Sequence, residues 1–168
     1  LKPLRVVSRF QPGIGESIEL YRQLRRLHTR IGFDLVEFTN VEGVGFQSCW
    51  AGAFPTVIRV HTTAFDALRI GAARPRLEAG YARLERWTAA RAGLLVSHSM
   101  AHRDQAARDY RVHPETIHVV PHGIPVRPEG TMTRRLDDQI LSVGAASQRK
   151  GVGEFLEAAA LLGGFFPS

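Results

Sequence analysis

His61 closes the run Thr56-Val57-Ile58-Arg59-Val60, and Thr62 and Thr63 follow it. A run so rich in β-branched residues favours a strand, and an open α/β sheet binds its ligands outside the carboxyl ends of its strands. A histidine at such a place orients or polarises a substrate hydroxyl; the alternative is a histidine satisfied by neighbouring backbone. Glu42 lies just beyond a second apolar run, Phe33 to Phe38, in a turn that also holds Gly43 and Gly45. If Glu42 and His61 meet in one cleft they form a carboxylate–imidazole pair of the general-base kind; otherwise Glu42 is a polar loop residue. Gly43, and Gly123 at the end of Pro121-His122-Gly123, belong to the same candidate cleft.

The second chemically suggestive stretch is Arg149-Lys150-Gly151. It follows the apolar run Ile140-Leu141-Ser142-Val143, which reads as a buried strand ended by Gly144. After it, Val152, Phe155, Leu156, Ala159 and Leu162 fall on one face of a helix. Strand, glycine-bearing loop and helix, with two cations on the loop, suit a phosphate or diphosphate, because a helix N-terminus offers free N–H groups and a positive dipole end. Without an anion the same cations sit badly against that end, and the alternative is a solvated helix start. Neither a Walker A pattern nor G-x-G-x-x-G is present.

Other chemistries find little support. His98, His102, His113, His118 and His122 lack the spacing of a metal set, and there is no His-Glu-x-x-His. Ser97 and Ser99 flank His98 without a G-x-S-x-G elbow, which argues against a serine hydrolase. The single Cys49 excludes an internal disulfide and a cysteine-cluster zinc site. There is no Asp-x-Asp pair to hold a divalent ion on a diphosphate. No metal and no cofactor is therefore expected.

The elements that must carry these residues alternate. Strands are expected at Leu4 to Ser8, Phe33 to Phe38, Thr56 to Val60, Leu94 to Ser97, Ile117 to Val120 and Ile140 to Val143. Helices are expected at Glu16 to Arg30, with Leu20, Leu24, Leu27 and Ile31 inward, and at Arg76 to Arg91, with Leu77, Tyr81, Leu84 and Trp87 inward. Met100 to Tyr110 is a further helix, capped by Ser99, and Phe46 to Gly52 is a short one. Gly32 is the left-handed stop of the first helix. This alternation predicts an α/β chain with a Rossmann-like parallel sheet. Pro128 and Gly130 lie in a stretch of linker composition. The expected organisation is a first domain over 1–126, a linker over 127–138 and the start of a second domain over 139–168. That last part is too short to bury a core alone.

The 168 residues are 44% hydrophobic and 23% charged, which are globular values. No apolar run approaches the roughly 18 residues that span a bilayer. The net charge of +6 comes almost wholly from arginine, since Lys2 and Lys150 are the only lysines. A solvated basic surface, an anionic membrane surface or an anionic ligand fits that charge. Nucleic acid is not expected, because no basic patch is interleaved with aromatic residues.

Taken together, DLVEFTNVEGVGF, PTVIRVHTTAF, LERWTAARAGLLVSHS, IHVVPHGIPV and ILSVGAASQRKGVGEFLEAAALL resemble family 4 glycosyltransferases of the GT-B type. VVPHGI is similar to that family's VVPNGID turn, and SVG…RKG…FLEAA to its VGR…KG…LLEA. The resemblance implies two Rossmann-like domains, an acceptor side and a donor side, that transfer a sugar from a nucleotide-sugar to a hydroxyl acceptor: a glycan, a lipid or a small molecule. The transfer would be metal-independent and retaining. It implies donor-diphosphate contacts from Lys150, Arg149 and Gly151, and a cleft role for His61. The chain departs from the pattern at Ala145, where the family has arginine, at His122 for asparagine, at Pro125 for aspartate and at Arg91 for aspartate. A convincing glycine-rich first loop and the donor-side E-x7-E are not found, so the chain reads as an internal fragment that is inactive alone. Its expected place is the cytoplasm, peripheral at the inner face of the membrane. A non-catalytic Rossmann-like binding module and a sugar-nucleotide epimerase of related two-domain shape remain the alternatives.

Overall fold

The computed structural model describes residues 13–71, 73–126 and 140–163. The chain divides into two compact units, Leu1–Gly123 and Ile124–Ser168. Unit one contains α1 (Ile14–Ile31), β1 (Val36–Thr39), α2 (Phe46–Ala51), β2 (Thr56–Arg59) and α3 (Ala64–Arg69). It continues with α4 (Pro75–Ala89), β3 (Leu94–Ser97), α5 (Met100–Tyr110) and β4 (Ile117–Val119). The four strands form one sheet in the order β1-β2-β3-β4, every pair parallel. Parallel neighbours need crossover connections, and the helices supply them. The Rossmann-like α/β class is thus present in the described residues.

The sheet explains the core. Ile58, Val60, Leu95 and Ile117 are almost completely buried, and Tyr110 and Ala106 of α5 close over them. Both sides of a covered parallel sheet must be apolar, which gives unbroken rather than alternating strands. Thr56, Val57 and Ile58 are accordingly all buried.

Element boundaries shift by one to three residues from the expected ones, and Leu94–Ser97 and Met100–Tyr110 coincide with them. Two helix faces differ. In α4 the buried residues are Gly80, Ala82, Leu84, Glu85, Thr88 and Ala89, while Trp87 stays 46% exposed and meets the Phe46 ring at a tilt. Small residues let this helix lie close to its neighbours, and an indole does not fit that gap. In α1, Leu20 and Leu24 pack on the core, but Leu27 and Ile31 are exposed. Ser17 is buried instead, its hydroxyl accepting the Gln47 N–H at 2.7 Å.

The helix α3 lies outside the sequence expectation. Thr63 and Asp66 form a reciprocal capping box that starts α3. The expected strand Leu4 to Ser8 and the linker 127–138 lie outside the described residues.

Unit two holds a turn of 3-10 helix, Gln148–Lys150, and α6 (Val152–Gly163). The expected strand Ile140 to Val143 does not form. Ile140, Leu141 and Val143 are extensively exposed and pair with no strand among the described residues. An apolar run becomes a strand only when a sheet accepts its backbone groups and one of its faces. The α6 residue Leu156 likewise remains 60% exposed.

Candidate functional site at the carboxyl end of the sheet

Each strand of unit one ends at a polar residue that the sheet brings to the same edge: Asn40 after β1, His61 after β2, His98 after β3 and His122 after β4. The ladder continues one step beyond the strands, with Asn40 N–H donating to Arg59 O, Val60 N–H to Val96 O and Val120 N–H to Ser97 O. These bonds fix the relative height of the four loops.

His61 is held by its backbone. Its N–H donates to Asn40 Oδ1 at 2.7 Å, and its carbonyl faces His102 Nε2 at 3.1 Å. A carbonyl only accepts, so Nε2 of His102 carries the proton and Nδ1 takes the Ser97 hydroxyl hydrogen at 2.8 Å. Burial, and then the neighbouring His98 ring, hold His102 below the ordinary histidine value, consistent with a neutral ring. Asn40, 1% exposed, also donates from Nδ2 to the Thr62 carbonyl. Both positions of the loop are therefore set by one asparagine, while the His61 ring makes no hydrogen bond among the described residues. The satisfied part of His61 is its backbone; its ring stays available.

Glu42 is brought to the neighbouring pocket, a hollow of about 170 Å³ lined by Val41, Glu42, Thr62, Thr63, Ala64, Ala67, Glu78, Tyr81 and Glu85. Glu42 takes a left-handed backbone (φ 55), unusual for a side-chain-bearing residue. Gly43 follows at φ +64, and a Cβ there would lie 2.5 Å from Leu84 Cγ. That approach and that φ both require glycine. Gly13, at φ +85, meets the same constraint: a Cβ on it would lie 2.4 Å from the Glu42 carbonyl oxygen. The signal for Gly13 was the Gly-Ile-Gly at the start of a helix, whose role only the packing reveals. Gly123, in contrast, has open space where a Cβ would be.

The base of the pocket is Glu85 of α4, 3% exposed and outside the sequence expectation. Its Oε2 accepts from Ala64 N–H and from the Tyr110 hydroxyl, both at 3.1 Å. Burial pushes its carboxyl up to about 7, against the pull of these donors. Burial and then the Glu85 carboxylate push the Tyr110 hydroxyl well up in turn. Beneath them, Arg69 of α3 forks onto Asp109 of α5 with two bonds of 2.8 Å and also pairs with Asp66. Thr63 Oγ1 joins the network to Asp109 at 3.2 Å. Nothing in sequence spacing marks Glu85 or Asp109: each is one carboxylate in a helix, and apart from Gln105, one turn before Asp109, the partners named lie 21 to 46 residues away.

In unit two, Gly151 takes φ +68 and links the 3-10 turn to α6. Lys150 N–H donates to Ser147 O, Gly151 N–H to Gln148 O and Phe155 N–H to Gly151 O. Lys150 is exposed, and its ammonium makes no hydrogen bond or ion pair among the described residues. Arg149 lies in the same turn. A hollow of about 450 Å³ beside them is lined by Ala146, Ser147, Gln148, Val152, Gly153, Glu154 and Glu157. Two carboxylates on that hollow mean that an anion bound there depends on the loop cations and the helix start. No group of three or more His, Cys, Asp or Glu among the described residues is arranged to hold a metal ion. No helix among them is long and apolar enough to cross a membrane.

Residues 2–127 match the family model described as Glycosyltransferase Family 4. The chain is also 29% identical over 151 residues to an MMP alpha-(1->4)-mannosyltransferase of Mycolicibacterium hassiacum. That match takes in 84% of this chain and 37% of the relative's length, so the chain spans well under half of that relative.

Proposed function

Because the chain belongs to glycosyltransferase family 4, we propose that it forms the acceptor side, and the start of the donor side, of an enzyme of GT-B type. The reaction is transfer of a sugar from a nucleotide-sugar to a hydroxyl acceptor, metal-independent and with retention at the transferred carbon. The relative's name makes a nucleotide-mannose the first donor to try. The observation that carries the reading is the placement of His61. It stands at the carboxyl end of β2, backbone fixed by Asn40 and His102, ring free of hydrogen bonds among the described residues, beside the pocket that holds Glu42.

In this reading the His61 ring positions a hydroxyl of the reacting sugar. The pocket of Glu42, Thr62 and Tyr81 presents oxygens that accept from acceptor hydroxyls. Lys150 and Arg149 meet the diphosphate as it departs, with α6 behind them, by electrostatic stabilisation of the developing charge. Gly151 supplies the turn that presents the helix start. The enzyme works in the cytoplasm, peripheral at the inner face of the membrane, where its arginine-rich surface favours anionic lipid.

The test is His61→Ala in the full-length protein, assayed with nucleotide-sugars and hydroxyl acceptors. No side-chain hydrogen bond is lost, so the melting temperature should stay nearly unchanged while turnover falls at least about tenfold, the scale of one hydrogen bond made in the transition state. Normal turnover in the folded variant would remove His61 from the reaction.

A further inference from the structure

Four imidazoles form a column along the carboxyl edge of the sheet. His61 and His122 stack at 6.4 Å and 15°, His122 and His98 at 5.4 Å and 14°, and His98 and His102 at 4.3 Å and 29°. Only His102 is hydrogen-bonded through its ring, to Ser97 and to the His61 carbonyl. The rings of His61, His98 and His122 make no hydrogen bond among the described residues. His98 Nδ1 is moreover shut away from solvent without a partner. A buried lone pair costs less there than a buried N–H, so the ring keeps its proton on Nε2 as a donor.

The column is short of negative charge. Glu37 of β1 acts electrostatically on His61, and Asp66 of α3 on His102. Each is already engaged, Glu37 by Arg59 of β2 at 2.7 Å and Asp66 by Arg69 of α3. On α5, Arg103 beside His102 is paired with Asp104. The column also stands at the start of α5, whose dipole end is positive. Ring N–H groups at such a place lack acceptors, and an oxyanion supplies them.

We propose that His98 and His122, beside His61 in the column, form a receptor for a phosphate-type oxyanion carried by a substrate, bound through ring N–H donors. The shared chemistry is the phosphate group, whether on the acceptor or on the donor. The proposal rests on the acceptor-side reading for what carries the phosphate, and the site itself is tested without turnover.

The experiment follows the histidine Cε1–H signals by NMR as inorganic phosphate is added at constant pH, with chloride at matched ionic strength as control. Phosphate should shift the signals of the column histidines in a saturable way and leave that of His113, an exposed histidine elsewhere, in place. His122→Asn, at an exposed position that does not threaten folding, should weaken phosphate at least about tenfold, the scale of one charge-assisted contact. Glycerol phosphate and a nucleoside diphosphate are compared as separate arms: tighter binding of the first assigns the anion to the acceptor, and of the second to the donor. Binding that is unchanged in His122→Asn or reproduced by chloride overturns the receptor. That failure is separate from the outcome of His61→Ala turnover, which tests the transfer reading.

Discussion

Glu85 makes the stability of this protein depend on pH in a direction that can be worked out from its surroundings. Burial raises its carboxyl from an ordinary 4.5 to about 7, despite the donors Ala64 N–H and Tyr110 OH. The native state thus holds the proton more tightly than the unfolded chain. Its contribution to stability is complete below about pH 4.5 and is lost as the pH rises through about 7. At 1.36 kcal/mol per unit the whole effect is about 3 kcal/mol, or about 6–12 °C in melting temperature for a chain of this size. The assay is thermal unfolding of the parent and Glu85→Gln at intervals from pH 5 to 8. Glutamine does not titrate, so this part of the slope disappears, whatever the substitution does to the absolute level. His102, held below its ordinary value of 6.5, contributes with the opposite sign: its stability rises with pH through that region. The comparison of parent with variant therefore isolates Glu85. Parallel slopes in the two proteins would refute the argument.

Two further outcomes are expected. Gly43→Ala places a methyl against Leu84 at a positive φ, and should cost about 2–4 kcal/mol by overpacking and backbone strain, seen as a lowered denaturation midpoint with unchanged slope; a midpoint equal to the parent's would count against the packing described. Lys150→Ala in the full-length protein should depress turnover at least about tenfold, and arginine at Ala145 should restore part of it, measured with saturating nucleotide-sugar; undiminished turnover would separate Lys150 from the diphosphate.

How much of this was legible in the sequence depends on the range of the interaction. The strand Leu94–Ser97 and the helix Met100–Tyr110 announce themselves through local composition and the Ser99 cap. The position of His61 at a strand end followed from the β-branched run before it. Thr63-x-x-Asp66 is equally local, yet the helix it opens has only 6 residues, too few for an apolar periodicity to show. Asn40 was invisible for another reason. Its importance comes from His61 and Thr62, which lie 21 and 22 residues on and reach it only once β1 and β2 pair. The run Ile140 to Val143 shows the converse: strand-like residues specify a strand only where a sheet receives them.

The clamp on His61 has a consequence for what binding costs. Its N–H is tied to the loop after β1 and its carbonyl to α5. A ligand that meets this residue finds a backbone with little conformational entropy left to surrender. The ordering penalty that a mobile loop would exact at every encounter has been incurred once, during folding. More of the contact energy then survives as affinity, and the ring can discriminate by position rather than by adjusting to whatever arrives.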